Sequence, residues 1–399
     1  MFQSLRHKNF RIFLLGNLVS LVGTWMQSLA MGWLVYRLTS SPFMLGLIGF
    51  AHAIPVWFMW PFCGVIADTI PKKRLIIETQ FIFMMSAFVV WGLTALNTIT
   101  ATDLFLLALI NGAASAIDTP ARQAFVVEMV GRKHLMDAIA LNSLAFNSAR
   151  ILGPVVGGYM VALVGEQGCF LFNALSFLAV LAALFAMKMT NMTPVTNNDG
   201  MFRNIIRGWE FLRKDPVIPK LLALAGVQGL LSLPYFTMLP VFVRDTFKRE
   251  ADALGFLMSC VGMGAVAGAL AVARVGHSRR KGYYLMIGAI CSATAIGFFG
   301  MSRNYTLSCL LLVVVGFSNV LALATGNTLI QKHSPDEFRG RAMSFYSLIF
   351  IGFMPVGNLI LGFLAEKISP SLAVSLCASS VLAFTLFMNW RFPRLKRLR

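Results

Sequence analysis

Asp118, His52 and Arg150 stand out because each is a titratable or charged side chain set inside a stretch built from Leu, Ile, Val, Phe and Met. A desolvated carboxyl at Asp118 can take up a proton. The imidazole of His52, just before Pro55, is a group whose ordinary titration range suits the same task. Either makes a proton-coupling residue. Each also has a plainer reading: Asp118 lies one helical turn before Arg122 and can be its static partner, and a lone imidazole more often packs through a hydrogen bond. The Arg150 guanidinium suits an anionic substrate group such as a catecholate, carboxylate or phosphate, and equally a structural carboxylate or helix carbonyls.

Asn17, Gln27, Asn111, Asn142, Asn147, Gln228, Tyr235, Asn319, Asn327 and Tyr346 also lie deep in apolar sequence. Contact with lipid is too costly for such groups, so they face inward. There they either line a wet cavity with Arg150 as substrate-binding groups or join helices by hydrogen bonds. Enzyme chemistry finds no support, since H-E-x-x-H, G-x-S-x-G and a Walker A lysine loop are all missing, and no cofactor is implied. The cysteines Cys63, Cys169, Cys260, Cys291, Cys309 and Cys377 lack metal-ligand spacing and read as small buried hydrophobes, so neither a metal site nor a disulfide framework is expected.

The elements that must hold these groups belong to a membrane protein. With 57% hydrophobic and 13% charged residues and a mean hydropathy of +0.74, 399 residues cannot cover a soluble globule with polar surface. Twelve apolar blocks of about 20 residues each can cross a bilayer as helices. They lie near 11–35, 43–67, 75–96, 103–124, 137–164, 169–190, 217–243, 252–275, 283–301, 305–329, 341–367 and 370–391. The expected fold class is therefore all-α, with twelve transmembrane helices in two pseudo-symmetric six-helix bundles. Domain boundaries follow at 1–189 for the first bundle, 190–216 for a cytoplasmic linker and 217–399 for the second.

The net charge of +18 is concentrated in alternate loops, including Lys72, Lys73 and Arg74, Arg132 and Lys133, Arg279 to Lys281, and the C-terminal tail. That is the positive-inside pattern with both termini cytoplasmic, and it argues for a lipid bilayer rather than nucleic acid as partner. The first apolar segment reads as a retained helix rather than a signal peptide. Within the linker, Phe202, Ile205, Ile206, Trp209 and Leu212 share one face of an amphipathic helix suited to the membrane interface. A shift of 204 residues superposes Ala138 on Ala342, Ser143 on Ser347, Gly153 on Gly357 and Gly158 on Gly362, as two parallel halves would. Gly153, Pro154, Gly157 and Gly158 form a stripe that lets a neighbouring helix approach and bend or slide.

The loop from Gly64 through Asp68 to Lys72, Lys73 and Arg74 resembles the G-x-x-x-D-R-x-G-R-R/K signature of the major facilitator superfamily, with Thr69 and Pro71 departing from it. Gly153-Pro154-Val155-Val156-Gly157-Gly158 resembles the G-P-x-x-G-G motif of that superfamily's antiporter branch. Leu21–Gln27, Gly32–Leu38, Asp118–Gln123, Ala138–Ser143 and Arg339–Tyr346 are similar to the bacterial subgroup of enterobactin exporters and macrolide efflux pumps. This resemblance spans nearly the whole chain. It implies a monomeric, proton-driven exporter of a small amphipathic molecule in a bacterial inner membrane. The gating residues carried over are Gly64, Asp68, Lys72, Arg122, Gly153, Pro154, Gly157, Gly158 and Arg341. Asp68 is expected to pair with Arg122 or Arg341 or to sit on a helix N-terminus, and Gly264 and Gly268 of the eighth span are expected to pack on the Gly153–Gly158 stripe. A lipid or lysophospholipid transporter of the same fold is the alternative.

Overall fold

The computed structural model describes residues 3–187, 213, 215–275, 278 and 280–398, with the side chains of 60–69, 275, 336–337 and 397 outside the description. The amphipathic linker segment 202–212 therefore lies outside the described residues. Among the described residues, eleven helices are long and apolar enough to cross a membrane. They are α1 Lys8–Thr39, α2 Pro42–Thr69, α3 Lys72–Ala95, α4 Ala101–Val164, α5 Glu166–Ala186, α6 Ile218–Thr246, α7 Ala251–Val275, α8 Lys281–Met301, α9 Tyr305–His333, α10 Asp336–Lys367 and α11 Pro370–Arg391. Among the described residues there is no strand.

Eleven helices and twelve expected spans reconcile at α4. This element is 64 residues long and breaks at Gly131, whose φ of 70° and ψ of 167° are not helical. The two arms, 101–130 and 132–164, are the expected fourth and fifth spans. Glycine stands at the break because a side chain in that backbone region is strained. The expected span 217–243 is found as α6, Ile218–Thr246, but its backbone is not one regular helix. Ile218–Val227 is regular α-helix, and the rest of α6 passes through a π turn at Gln228–Ser232, a 3₁₀ stretch at Leu233–Met238, a short α turn at Leu239–Val241 and a second π turn at Phe242–Thr246. Pro234 and Pro240 have no N–H to give to an i−4 carbonyl, so the ladder shifts its hydrogen-bond spacing around them.

Several helix starts are secured by short polar side chains. Thr100 and Asp103 form a reciprocal capping box at the head of α4, Asn304 accepts from Leu307 N at the head of α9, and Ser369 accepts from Leu372 N at the head of α11. Each satisfies an amide that lipid could not.

Packing divides the chain into two compact units, one of Met1–Ser40, Ala51–Asn198 and Glu250–Phe256 and the other of Ser41–Phe50, Asp199–Arg249 and Leu257–Arg399. The first has an apolar core of Phe10, Phe13, Ile76, Phe125 and Leu184, and the second one of Leu221, Leu222, Leu285, Leu329 and Ile330. Large apolar side chains also point outward, with Phe58 74%, Trp390 78% and Leu163 82% exposed, which suits a surface solvated by acyl chains. Because lipid and side chain are equally apolar, helix association rests on close approach through small residues. In the first unit Gly16 of α1 lies on Ala179 and Ala183 of α5, and in the second Gly264 and Gly268 of α7 lie on Val313 and Phe317 of α9. The eighth span does meet the Gly153–Gly158 stripe, as expected, but through Ala251 and Gly255 rather than Gly264 and Gly268.

Gly131→Ala should lower stability by about 1–3 kcal/mol. A helical glycine with open space around its α-carbon, Gly92, should instead gain about 0.5–1 kcal/mol on conversion to Ala. Thermal unfolding of both variants in detergent checks the opposite signs.

Candidate functional site

On the first arm of α4, Asp118, Ala121, Phe125 and Met129 are all buried, so the acid sits on the helix stripe that faces the core. Arg122 Nε donates to Asp118 Oδ2 at 2.5 Å. From α3, Thr79 Oγ1 and Gln80 Nε2 donate to Asp118 Oδ1 at 2.7 and 3.1 Å. Arg122 Nη1 donates to Asn17 Oδ1 of α1 at 2.6 Å, and Asn17 Nδ2 reaches Asn142 Oδ1 on the second arm of α4 at 3.5 Å. The guanidinium also lies 5.8 Å from the ring centre of Phe13, which meets Phe125 edge-on. A single ion pair thus ties together α1, α3 and both arms of α4. A carboxylate can only accept, and here both of its oxygens are used by donors from two helices.

His52 of α2 meets the same face of α4 one turn before Asp118. Its Nε2 is 3.3 Å from Ser115 Oγ, and the backbone of α2 at His52 meets α4 at Gly112, where a side chain would not fit. Ser115, Asp118 and Arg122 follow an i, i+3, i+7 line, so α4 presents hydroxyl, carboxylate and guanidinium in a row.

The remaining polar candidates fall into the two units. In the first, Gln27 Oε1 accepts from Asn173 Nδ2 at 2.6 Å, Asn111 Nδ2 donates to Ser86 Oγ at 2.9 Å, and Asn147 Nδ2 turns back to Ser143 O on its own helix. Arg150 is half-buried. In the second unit, Asn319 Oδ1 accepts from Ser292 Oγ at 2.8 Å, Asn327 Oδ1 accepts from Gln331 Nε2 on its own helix, and Tyr235 is buried against Phe299. Gln228 and Tyr346 line one small cavity with Leu285, Ala322 and Gly326. Tyr346 donates to Leu323 O at 3.2 Å and stacks on Phe350. Gln80 Oε1, Asn111 Oδ1 and Gln228 Oε1 are buried acceptors with no hydrogen-bond partner among the described residues, an uncommon condition in a folded interior. A second, apolar groove of about 510 Å³ in the same unit is lined by Leu222, Gly226, Leu230, Phe353 and Phe384, with Arg213 also at its wall.

Of the expected gating residues, Lys72 pairs with Glu128 at 3.5 Å, and Arg341 lies over the Phe338 ring at 5.2 Å. Arg122 takes Asp118 as its carboxylate. Gly64 and Asp68 have side chains outside the described residues. Gly153 and Gly157 pack on Trp25 and Met26 of α1, whereas Gly158 packs on Ala251, Asp252 and Gly255 at the start of α7, with Pro154 O also against Gly255. The stripe therefore serves two partners, with α1 on one side and the first turns of α7 on the other.

Thr79, Gln80 and Asn173 are contacts that the sequence reading misses. Their signal is present as polar residues within the third and sixth apolar blocks, but nothing local says which acid or amide they meet.

The described helices match known transporter structures over nearly their whole length. The nucleoside transporter NupG superposes with a TM-score of 0.75 at 15% identity, covering 96% of this chain and 99% of that one. A bacterial homolog of the human lysosomal transporter Spinster superposes with 0.75 at 11% identity, covering 99% and 97%. Residues 1–398 match the transmembrane secretion effector family. The chain belongs to that family of major facilitator transporters. Among curated relatives, the enterobactin exporter EntS of Shigella boydii serotype 18 (strain CDC 3083-94 / BS512) is 22% identical over 393 residues, covering 98% of this chain and 94% of the relative. EntS of Escherichia coli O81 (strain ED1a) matches to the same extent. The protein is thus a multi-pass membrane transporter and not an enzyme.

Arg122→Ala removes the charge partner of a buried acid and should cost about 2–3 kcal/mol. In a double-mutant cycle with Asp118→Ala, thermal unfolding in detergent should give a coupling of about 1–3 kcal/mol. Arg37→Ala is the contrast. Its pair with Glu166 is short at 2.7 Å, but the arginine side chain is 46% exposed, so screening should hold the loss below about 1 kcal/mol.

Proposed function

We propose that this chain is a secondary active exporter that moves a medium-sized amphipathic molecule, siderophore- or macrolide-like, across a bacterial inner membrane by alternating access in exchange for protons. In this reading it is a monomer of two six-helix bundles, 1–189 and 217–399, joined by the linker 190–216, with both termini cytoplasmic. The observation that carries the reading is the buried Asp118–Arg122 network joining α1, α3 and α4. Within a family of transporters, a charged joint in an apolar bundle is costly unless the cycle uses it.

His52 is the proton carrier in this proposal. Asp118 already accepts from Arg122, Thr79 and Gln80, and losing any of these contacts strands a buried donor. His52 contacts a hydroxyl that can donate or accept, so its ring can gain or lose a proton without stranding a partner. Within the first unit, the unpaired acceptor Asn111 Oδ1 supports a polar binding surface, with Arg150 attracting an anionic substrate group. The siderophore class is favoured by the relatives named as enterobactin exporters. Outward placement of the loops before α7 and α9 follows from the lysine and arginine bias.

A lipid or lysophospholipid transporter is the second reading. The apolar groove of about 510 Å³ with Arg213 at its wall favours it, since an acyl chain and an anionic headgroup have that chemistry.

Reconstituted vesicles loaded with a labelled siderophore, a macrolide or a lysolipid, with and without a pH gradient, distinguish the two. Efflux of the first or second that rises at least tenfold with the gradient is expected, and movement of lysolipid alone overturns the reading. His52→Gln should remove the response to the gradient while retaining downhill transport, and an unchanged response reassigns the proton to another group. Gly158→Leu, at the seam with Ala251 and Gly255, should abolish efflux in protein that still inserts; wild-type efflux would make that seam a passive contact.

A further inference from the structure

Cys260 of α7 and Cys309 of α9 lie outside every contact used above, yet the packing of their helices brings them face to face. Gly264 lies against Val313 and Gly268 against Phe317. Both pairs have a sequence offset of 49 residues, and so have Cys260 and Cys309. A constant offset means that α7 and α9 run parallel in register, so the cysteines occupy the next position of the same seam, one turn nearer the helix starts. Gly264, Gly268 and Gly316 let the two backbones touch, and two facing cysteines on helices this close fall within reach of a bridge. Both are buried, at 2% and 8% exposure.

The pair has a polar cover. Tyr305, the first residue of α9, lies one helical turn before Cys309, and the Arg249 guanidinium lies 4.5 Å from the centre of the Tyr305 ring. Cys309 is one turn from the helix end and is the sulfur nearer to an approaching reagent.

We propose that Cys260 and Cys309 are a modification site, forming a reversible disulfide that staples α7 to α9 inside the second unit. The oxidising side rests on the outward placement of the α7 and α9 starts given under the proposed function. The bacterial outer compartment sustains disulfides, whereas the cytoplasm does not. The oxidant is a disulfide, either a small molecule or a thiol oxidoreductase. Cys309 loses its proton and attacks one oxidant sulfur, breaking that S–S bond and releasing one thiol. Cys260 then loses its proton and attacks the Cys309 sulfur of the mixed disulfide, releasing the second thiol. One S–S bond forms for one broken, and two electrons pass to the oxidant.

The test treats the purified full-length protein in nanodiscs with oxidised glutathione, then denatures it, labels free thiols with a maleimide and maps linked peptides by mass spectrometry. Two of the six thiols should disappear, the linked peptides should carry Cys260 and Cys309, and dithiothreitol should restore both. The bridged form should unfold about 5–10 °C higher than the reduced form. In Cys309→Ser the five remaining thiols should all label, and in Cys260→Ser Cys309 alone should be blocked, held as a mixed disulfide with glutathione that dithiothreitol releases. If all six thiols label in oxidised wild-type protein, or the linked peptides are others, the pairing is overturned, and this readout stands even where a variant fails to fold. Adding the impermeant oxidant to oriented vesicles separates the second premise. A bridge formed only from the outer face supports the assigned orientation, and one formed only from the cytoplasmic face overturns it while leaving the pairing intact.

Discussion

A polar group in a bilayer-soluble bundle has no water to fall back on, and this constraint organises the molecule. Asp118 is its sharpest instance. The cost of a carboxylate among apolar helices is offset by a guanidinium on its own helix and by two donors from α3. The guanidinium is in turn completed by Asn17 of α1. The partners come from α1, α3 and α4, so the acid is fully satisfied only when those elements are assembled. Local folding of α4 brings Arg122 to Asp118, and tertiary assembly supplies the rest.

The same constraint explains the use of glycine. Since burying leucine against leucine gains little over leucine against lipid, helices here associate through backbone contact at small residues. Gly16 meets α5, Gly112 meets α2, and Gly264 meets α9. Where the ladder itself is broken, in α6, prolines are answered by π and 3₁₀ turns rather than by a loop, so carbonyls find other donors within the same segment. Gly131 is the exception at which the chain changes direction, and its backbone conformation is one that a side chain resists.

These two devices combine in the Gly153–Gly158 stripe. Read as a ridge, it calls for one partner helix. In the folded chain neighbouring glycines of the stripe turn to different partners, Gly153 and Gly157 to α1 and Gly158 to the head of α7. Gly153 and Gly157, four apart, share one helix face, whereas Gly158 is turned about 100° from Gly157 and meets the other neighbour.

Hydropathy and charge placement alone determined that this chain crosses a membrane many times, where each crossing begins and ends to within a few residues, and that Asp118 can pair with Arg122. Those properties depend on composition within about twenty residues or on spacing along one helix, and both are local. The sequence also marked the polar groups that must face inward. Which of them meet was decided only in three dimensions. Thr79 and Gln80 on Asp118, Asn173 on Gln27, and Cys309 opposite Cys260 join residues from separate helices, and their pairing depends on register and crossing position. A one-turn slip between two apolar helices leaves the hydrophobic pattern unchanged while exchanging every polar partner, so only the packed structure selects them.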